Sequence, residues 1–240
     1  MASSGRRICP ELLDELDPQD PRAQRSRRDL QRLHRAMGSL TILRHALADS
    51  LAGAPPRTIL ELGAGDGSLL LRLARSLRHQ WRGAQLTLLD RHSVVTKQTR
   101  SAFAALGWNV SALCMDVNEW AAQSRDDHYD LCCTTLFLHH FDSSQLQLLL
   151  SRVAARTNTF IACEPRRCLA AQIGSRLVGC IGANEVTRAD AVKSVAAGFT
   201  AVDIGALWPD PQRLWRINEY AARLFTHCFV ATRRPGLSTP

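Results

Sequence analysis

A short apolar strand that runs directly into a glycine-rich turn and an amphipathic helix constrains this chain most. The strand covers residues 58–62, and the turn contains Gly63, Gly65 and Gly67. Glycine lacks a Cβ, so its backbone takes unusual dihedral angles and approaches a ligand closely, while the free N–H groups at the helix start face that ligand. The pattern therefore predicts a nucleotide pocket at the end of a buried strand.

The spacing of the glycines separates the classes of nucleotide pocket. A dinucleotide fingerprint reads G-x-G-x-x-G or G-x-G-x-x-A. Here the third glycine comes one residue earlier, and Ser68 stands where the last small residue would be. Glu61 lies two residues before the first glycine, where a carboxylate repels a pyrophosphate and attracts a cation. The chain contains no G-x-x-x-x-G-K-[ST] segment, so a P-loop is excluded.

The E-x-G-x-G-x-G loop resembles the first motif of the class I S-adenosylmethionine-dependent methyltransferases. The resemblance implies S-adenosylmethionine as the cofactor, because this ligand carries an ammonium and a sulfonium but no phosphate. It also implies that Glu61 and the loop seat the methionine moiety. The loop residues concerned are Gly63, Ala64, Gly65 and Gly67.

Strand-like and helical runs alternate along most of the chain. Strands are predicted over residues 58–62, 85–90, 109–115, 129–135 and 158–164, with a sixth opening at 198–202 and a seventh over 225–232. Such alternation predicts an α/β fold with a parallel sheet, whose ligands bind at the carboxyl ends of the strands. The resemblance implies a Rossmann-like, seven-stranded, mostly parallel sheet with helices on both faces, and a last pair of strands that forms an antiparallel hairpin.

Three predicted strands in succession end in an acid, at Glu61, Asp90 and Asp116. Each acid alone also fits a helix cap, but three at successive strand ends favour a ligand. By resemblance, Asp90 accepts from the ribose hydroxyls, and Asp116 accepts from the adenine amino group while its neighbour Val117 packs on the ring. The predicted cofactor set also includes two further strand-end residues, Arg91 and Thr134.

The segment Leu138-His139-His140-Phe141 follows the fourth strand. It resembles the "LHHF" segment of the branch with the ubiquinone and menaquinone C-methyltransferases, where it forms the floor between cofactor and acceptor. His139 and His140 are therefore candidate catalytic residues, since neutral imidazole suits proton removal. Alternatively, either one orients the acceptor or packs the loop before a helix capped by Asp142 or Ser143.

Several observations favour a small-molecule acceptor, of aromatic or quinone-like character. Neither the Asn-Pro-Pro-Tyr rim of nucleobase amine methyltransferases nor the Pro-Cys of cytosine C5 enzymes occurs. Glu164-Pro165 again resembles the quinone branch, and the following Arg166 and Arg167 would pair with Glu164, meet an anionic acceptor or remain in solvent. Aromatic residues are candidates to line the acceptor site: Phe137, Trp208, Trp215, Tyr220 and Phe225.

Composition suits one compact enzyme, with the net charge of +8 carried almost entirely by arginine. The cysteines lack a C-x-x-C pair, and Cys114, Cys132, Cys133 and Cys163 fall in strand-like runs. Buried reduced thiols are therefore expected rather than disulfides or zinc, and no metal is predicted. The N-terminus lacks a signal-peptide core, and no run is long enough to span a membrane, so a cytoplasmic protein is expected.

An amphipathic helix with a break near Gly38 is predicted before the sheet, so residues 1–52 are assigned to an N-terminal helical extension and 53–240 to the cofactor-binding domain. The arginines at 25, 28, 32 and 35 share one face of this helix. That face is interpreted as a solvated flank, part of a lid over the substrate pocket, or a nucleic-acid surface. The alternative function is a non-catalytic cofactor-, RNA- or partner-binding protein, with a nicotinamide oxidoreductase disfavoured by Glu61 and Ser68.

Overall fold

Seven strands form one sheet in the computed structural model, which describes residues 5–51, 55–123, 127–201, 203–210 and 213–235. The strands are β1 (Thr58–Leu62), β2 (Gln85–Asp90), β3 (Asn109–Cys114), β4 (Tyr129–Thr135), β5 (Thr157–Pro165), β6 (Trp215–Ala222) and β7 (Thr226–Arg233). The α-helices are α1 (Leu12–Glu15), α2 (Pro21–Met37), α3 (Ser39–Ser50), α4 (Ser68–Ser76), α5 (Lys97–Ala104), α6 (Val117–Ala122), α7 (Ser143–Ala155), α8 (Leu169–Arg176) and α9 (Glu185–Ala197).

The spatial order of the strands is β3-β2-β1-β4-β5-β7-β6. Strands β1 to β5 pair in parallel, and β7 is antiparallel to both β5 and β6. The chain reverses its direction of progress across the sheet between β1 and β4, which is where open α/β sheets place their ligands. The predicted Rossmann-like fold, with its antiparallel hairpin at the end, is confirmed.

Two apolar cores cover the two faces of the sheet. Successive residues of a strand point to opposite faces, so Ile59 belongs to the core beneath α3, α4 and α5, whereas Leu60 belongs to the core beneath α6 and α7. Both cores contain fully buried rings, such as Phe103 on the first face and Phe160 on the second. The sheet is therefore held rigidly on both sides, and its carboxyl edge is free to carry a site.

The N-terminal extension is helical, with a break at the predicted position. Gly38 separates α2 from α3 and has φ +70°. Only glycine adopts this left-handed backbone conformation without strain. Helix α3 packs into the first core through Ile42 and Leu43. Helix α2 instead lies above the carboxyl edge of the sheet, and its arginines 25, 28, 32 and 35 are exposed.

Two sequence-based expectations are wrong. Residues 198–201 do not open a strand: only Phe199 bridges, to Arg166, because the Asp203 side chain then accepts from the Thr200 N–H at 2.7 Å and turns the chain away. Val202 lies outside the described residues. Cys114 is exposed at the edge strand β3, whereas Cys132, Cys133 and Cys163 are buried as expected.

None of the helices in the described part of the chain is both long and apolar enough to cross a membrane.

Candidate active site

A cavity of about 580 Å³ opens at the carboxyl ends of β1 to β4. Three acids line it: Glu61 is the next-to-last residue of β1, Asp90 is the last residue of β2, and Asp116 lies two residues after β3. The structure therefore brings together residues that are 55 positions apart in the chain, as the parallel sheet requires. Nine predicted site residues line the cavity besides Asp116: Glu61, Gly63, Ala64, Gly65, Asp90, Arg91, Val117, His139 and His140.

The glycine loop forms the wall of the cavity between β1 and α4. Gly63 has φ +66°, and a Cβ on it would lie 2.3 Å from Cδ2 of Phe137, so the ring packs directly on the loop. Gly65 has φ +54°, and a Cβ there would meet no atom within 4 Å. The loop backbone is thus close-packed on one side and open to a ligand on the other.

Glu61 lies at the base of this loop and is buried, with 4% of its surface exposed. Its Oε2 has no hydrogen-bond partner. Burial, reinforced by the negative charges of Asp66 and Asp90, holds the pKa of Glu61 well above its ordinary value. A cationic donor such as an ammonium group would partner this oxygen and favour the ionised carboxylate, so the site fits a ligand that brings one. These residues therefore fit the methionine end of the predicted cofactor.

Asp90 organises the turn after β2. Its Oδ2 accepts from the N–H of Gly65 and its Oδ1 from the N–H of His92, both at 2.8 Å. Each carboxylate oxygen retains a further lone pair for a ligand hydroxyl. The guanidinium of Arg91 contacts Asp14, with 2.8 Å between Nη2 and Oδ1. His92, which no sequence motif marks, also lines the cavity and has an unpartnered Nε2.

The far end of the cavity is built at the start of α6. Asp116 is the N-cap of this helix, and its Oδ1 accepts from the Asn118 N–H at 2.7 Å. The acid therefore performs the capping role that the sequence left open while it also lines the cavity. Val117 and Leu89 supply apolar surface beside it, as a planar base would need.

Two predicted cofactor residues lie outside the lining. Gly67 caps α4, and a Cβ on it would come within 2.9 Å of Leu88. Thr134 is fully buried, and its hydroxyl donates to the Leu62 carbonyl at 2.9 Å. The next residue, Thr135, lines the cavity instead, because successive strand residues alternate in direction.

His139 is buried between two carboxylates. Its Nδ1 lies 2.9 Å from Oε2 of Glu164, and its Nε2 lies 3.2 Å from Oε1 of Glu11. Glu164 also accepts from the N–H groups of Phe137 and Leu138. Burial by itself would lower the pKa of His139, but the hydrogen bonds to Glu11 and Glu164 outweigh it and raise the pKa to about 9. His139 is therefore an imidazolium that donates to both acids, and it holds the loop together.

His140 has a different electrostatic environment from His139, although the centroids of the two rings are only 4.3 Å apart. Burial and the positive charge of His139 lower its pKa. Its side chain is 23% exposed, and its Nδ1 lies 3.4 Å from Oδ2 of Asp14. A neutral imidazole that faces the cavity has a lone pair available to accept a proton.

The N-terminal segment, residues 6–15, crosses the mouth of the cavity as a strap. Arg6 donates to the carbonyls of Ala197 and Phe141, and its guanidinium stacks 4.2 Å from the ring of Phe199. Further along, the N–H groups of residues 12 and 13 donate to the carboxylate of Asp190. No local sequence pattern marks this strap, since these four hydrogen bonds join residues more than 100 positions apart.

The aromatic residues and arginines proposed for the acceptor site divide into separate places. Phe137 lines the 580 Å³ cavity, whereas Trp208 and Trp215 are buried in the second core. Arg167 donates to the Gly198 carbonyl at 3.2 Å, away from the cavity. Phe225 borders a second, smaller cavity, and Tyr220 packs against the first core.

Residues 59–159 match the family model described as a methyltransferase domain. This segment of the chain is therefore similar to a methyltransferase domain. The match begins at β1, covers the glycine loop and both histidines, and ends in β5. It confirms the prediction of a methyltransferase enzyme. No curated protein matches the sequence.

Solved structures of methyltransferases share the fold of this domain and the flanking helices. The plantazolicin methyltransferase BpumL, in complex with SAH, is 14% identical with a TM-score of 0.61, over 90% of this chain and 92% of that one. The magnesium protoporphyrin IX methyltransferase of Synechocystis, also with SAH, is 16% identical with a TM-score of 0.53, over 83% of each chain. Human N-acetylserotonin methyltransferase, with SAM, is 11% identical with a TM-score of 0.54, over 91% of this chain and 60% of that one. Their bound nucleosides agree with the predicted cofactor.

Proposed function

We propose that this methyltransferase transfers a methyl group from S-adenosylmethionine to a small acceptor of aromatic or quinone-like character. The observation that carries the proposal is the cavity at the strand ends, where Glu61, Asp90 and Asp116 meet beside an open glycine loop. An unpartnered oxygen on buried Glu61 matches the ligand's ammonium. Asp90 and Asp116, near the ends of the two neighbouring strands, line the same cavity and supply acceptors for a nucleoside.

S-adenosylmethionine supplies a methyl group activated by a sulfonium. In this proposal Glu61 and the glycine loop bind the methionine moiety, Asp90 accepts from the ribose hydroxyls, and Asp116 accepts from the adenine amino group. Arg91 acts indirectly, because its guanidinium holds Asp14 of the strap over the ribose side. The main task of these groups is to orient the reactants in a site from which water is excluded.

The histidines have unequal roles in the proposal. His139 donates to Glu11 and Glu164, so it has no lone pair to offer an acceptor and positions the loop instead. His140 is the candidate base, needed where the acceptor enters in its protonated form. The Leu138-His139-His140-Phe141 and Glu164-Pro165 segments, which the structure joins through the His139–Glu164 contact, support the placement near the quinone-type branch.

The N-terminal extension, residues 1–52, is proposed to act as a lid. Its strap and the inner face of α2 line the cavity with Glu11, Asp14, Leu30, Gln31 and His34. The Gln31 side chain donates to Asp66 of the glycine loop at 2.6 Å. Contacts of this kind couple the closure of the lid to the loop that binds the cofactor.

Calorimetry followed by product analysis tests the proposal. S-adenosylmethionine and S-adenosylhomocysteine should bind and raise the melting temperature, whereas NAD should do neither. Labelled S-adenosylmethionine is then assayed against phenols, quinones and RNA. Binding of NAD without either sulfur nucleoside would overturn the cofactor assignment.

The RNA-binding alternative is tested on the exposed arginine face of α2. Reversal of the charges at Arg25, Arg28 and Arg35 should leave turnover of a small acceptor unchanged, because none of these residues lines the cavity. Salt-sensitive RNA binding that the same variants abolish would favour the alternative instead.

A further inference from the structure

A second cavity of about 200 Å³ lies beneath α2, between α8 and α9. Its walls are aliphatic for the most part. The apolar lining includes Leu33, Met37, Pro165, Ala171, Val178, Ala191, Val195 and Phe225. Among the described residues that line it, there is no lysine, arginine or histidine.

The polar groups of this cavity are satisfied by the protein. The hydroxyls of Ser26 and Thr187 bond to each other at 2.8 Å. Both oxygens of Asp190 accept from strap N–H groups at 2.8 and 2.9 Å. The Ser175 hydroxyl donates to a carbonyl at 2.9 Å. An anionic ligand would therefore lose its hydration here without gaining a counter-charge, which disfavours phosphate and carboxylate ligands.

The second cavity meets the cofactor cavity at one place. Residues on the walls of both are Glu11, Leu13, Leu30, Leu136 and Ser194. The polar members of this junction are Glu11 and Ser194. The Ser194 hydroxyl and the His139 imidazolium both donate to Oε1 of Glu11. A carboxylate accepts up to about four hydrogen bonds, so Glu11 has capacity for one more donor at the junction.

The outer end of the cavity opens through an apolar rim. Leu169, Ile173, Leu177 and Ile181 follow each other at intervals of four residues, and all are more than 40% exposed. Leu177 and Ile181 also line the cavity. An exposed apolar stripe at a cavity mouth is typical of a site that receives an apolar ligand.

We propose that the second cavity is the acceptor site, and that it takes an uncharged, lipophilic molecule with a hydrogen-bond donor at one end. The inference rests on the proposed function and adds the substrate class to it. The apolar body lies among α2, α8 and α9, after entry past Leu177 and Ile181. The donor end reaches Glu11, where the two cavities meet.

Ala191→Trp fills the cavity from α9, and Val192→Trp is its matched control, because Val192 is 39% exposed on the same helix and lines neither cavity. The probe is N-phenyl-1-naphthylamine, a neutral fluorophore with one N–H donor. The wild type should bind it with enhanced fluorescence, Ala191→Trp should weaken that binding at least tenfold, and Val192→Trp should leave it unchanged. S-adenosylhomocysteine affinity should be the same in all three.

Ile181→Asp is the second variant, at a position that is 41% exposed at the mouth of the cavity, and it should weaken probe binding in the same way. Probe binding that survives both Ala191→Trp and Ile181→Asp would overturn the acceptor-site assignment while leaving the cofactor assignment intact. Failure of S-adenosylhomocysteine to bind the wild type would instead overturn the proposed function, whatever the probe does. Once an acceptor is found, its KM should rise at least tenfold in Ala191→Trp.

Discussion

Nδ1 of His139 lies 2.9 Å from Oε2 of Glu164, and both side chains are at least 97% buried. The contact joins the loop after β4 to the end of β5. Because Glu164 also accepts from two backbone N–H groups of that loop, this acid holds the floor of the cavity through three donors. We therefore propose a structural role for the first histidine, which leaves the second as the candidate base.

Replacement of His139 should destabilise the protein. His139→Asn removes a donor from the buried Glu164 carboxylate, and an unmet buried polar group costs about 1–3 kcal/mol. At roughly 2–4 °C per kcal/mol for a chain of this size, the melting temperature should fall by several degrees. His140→Asn is the matched control and should shift it little. An equal fall in both variants would contradict the assignment.

Turnover should depend on His140 instead. Its lowered pKa keeps it neutral at pH 7, so His140→Asn should slow methyl transfer to a protonated acceptor by roughly 10²–10⁴-fold with cofactor affinity retained. In the wild type, activity should be level at neutral pH and fall as the pH drops through that lowered pKa. Full activity in His140→Asn would exclude a base role.

The strap should loosen at high pH. The pKa of His139 is raised to about 9 from about 6.5 in an unfolded chain, so its ion pairs stabilise the fold fully below pH 6.5 and lose this contribution as the pH rises through about 9. Melting temperatures are measured from pH 6 to 10 for the wild type and Glu11→Gln. Their difference should shrink towards pH 10, while exposed Glu15→Gln, on the same strap, should match the wild type throughout.

Gly63→Ala should abolish cofactor binding. The new Cβ would lie 2.3 Å from the Phe137 ring, at φ +66°, so the ring and the glycine loop must separate. Gly107→Ala is the control, because Gly107 has φ +77° but no atom within 4 Å of an added Cβ. Gly107→Ala should lower the free energy of unfolding by only the roughly 1–2 kcal/mol of backbone strain and should bind S-adenosylhomocysteine normally. Calorimetric measurement of S-adenosylhomocysteine binding distinguishes the two variants.

Asp90→Ala should weaken S-adenosylhomocysteine about tenfold or more, because it removes the proposed ribose acceptor and the anchor of the Gly65 N–H. Asp130→Ala removes a comparable carboxylate, which accepts from the N–H groups of Arg57 and Thr58 at the opposite edge of the sheet. It should lower the melting temperature without changing affinity. A similar affinity in both variants would show that Asp90 does not contact the nucleoside.

The positions of β1 to β5 and the break at Gly38 could be predicted from the sequence. Apolar runs that form buried strands, and a glycine that interrupts a helix, are both recognisable from neighbouring residues. The acids at three strand ends could also be predicted to converge, since parallel strands share one carboxyl edge. The position of the sixth strand could not be predicted. Residues 198–202 have strand-like composition, but the Asp203 side chain turns the chain there and the sheet is completed by Trp215–Ala222.

The sequence by itself determined the fold class, the glycine loop and the acids around it, because these depend on periodicity and on short-range backbone requirements. Only the tertiary structure showed that the two histidines have different surroundings. Glu11 lies 128 residues before His139, and no local pattern indicates that its carboxylate contacts that ring. The same long-range packing of the N-terminal strap and α2 on α9 forms the junction between the cofactor cavity and the second cavity. Contacts of this kind depend on how whole helices and strands pack against each other, so they can be identified only in the folded structure.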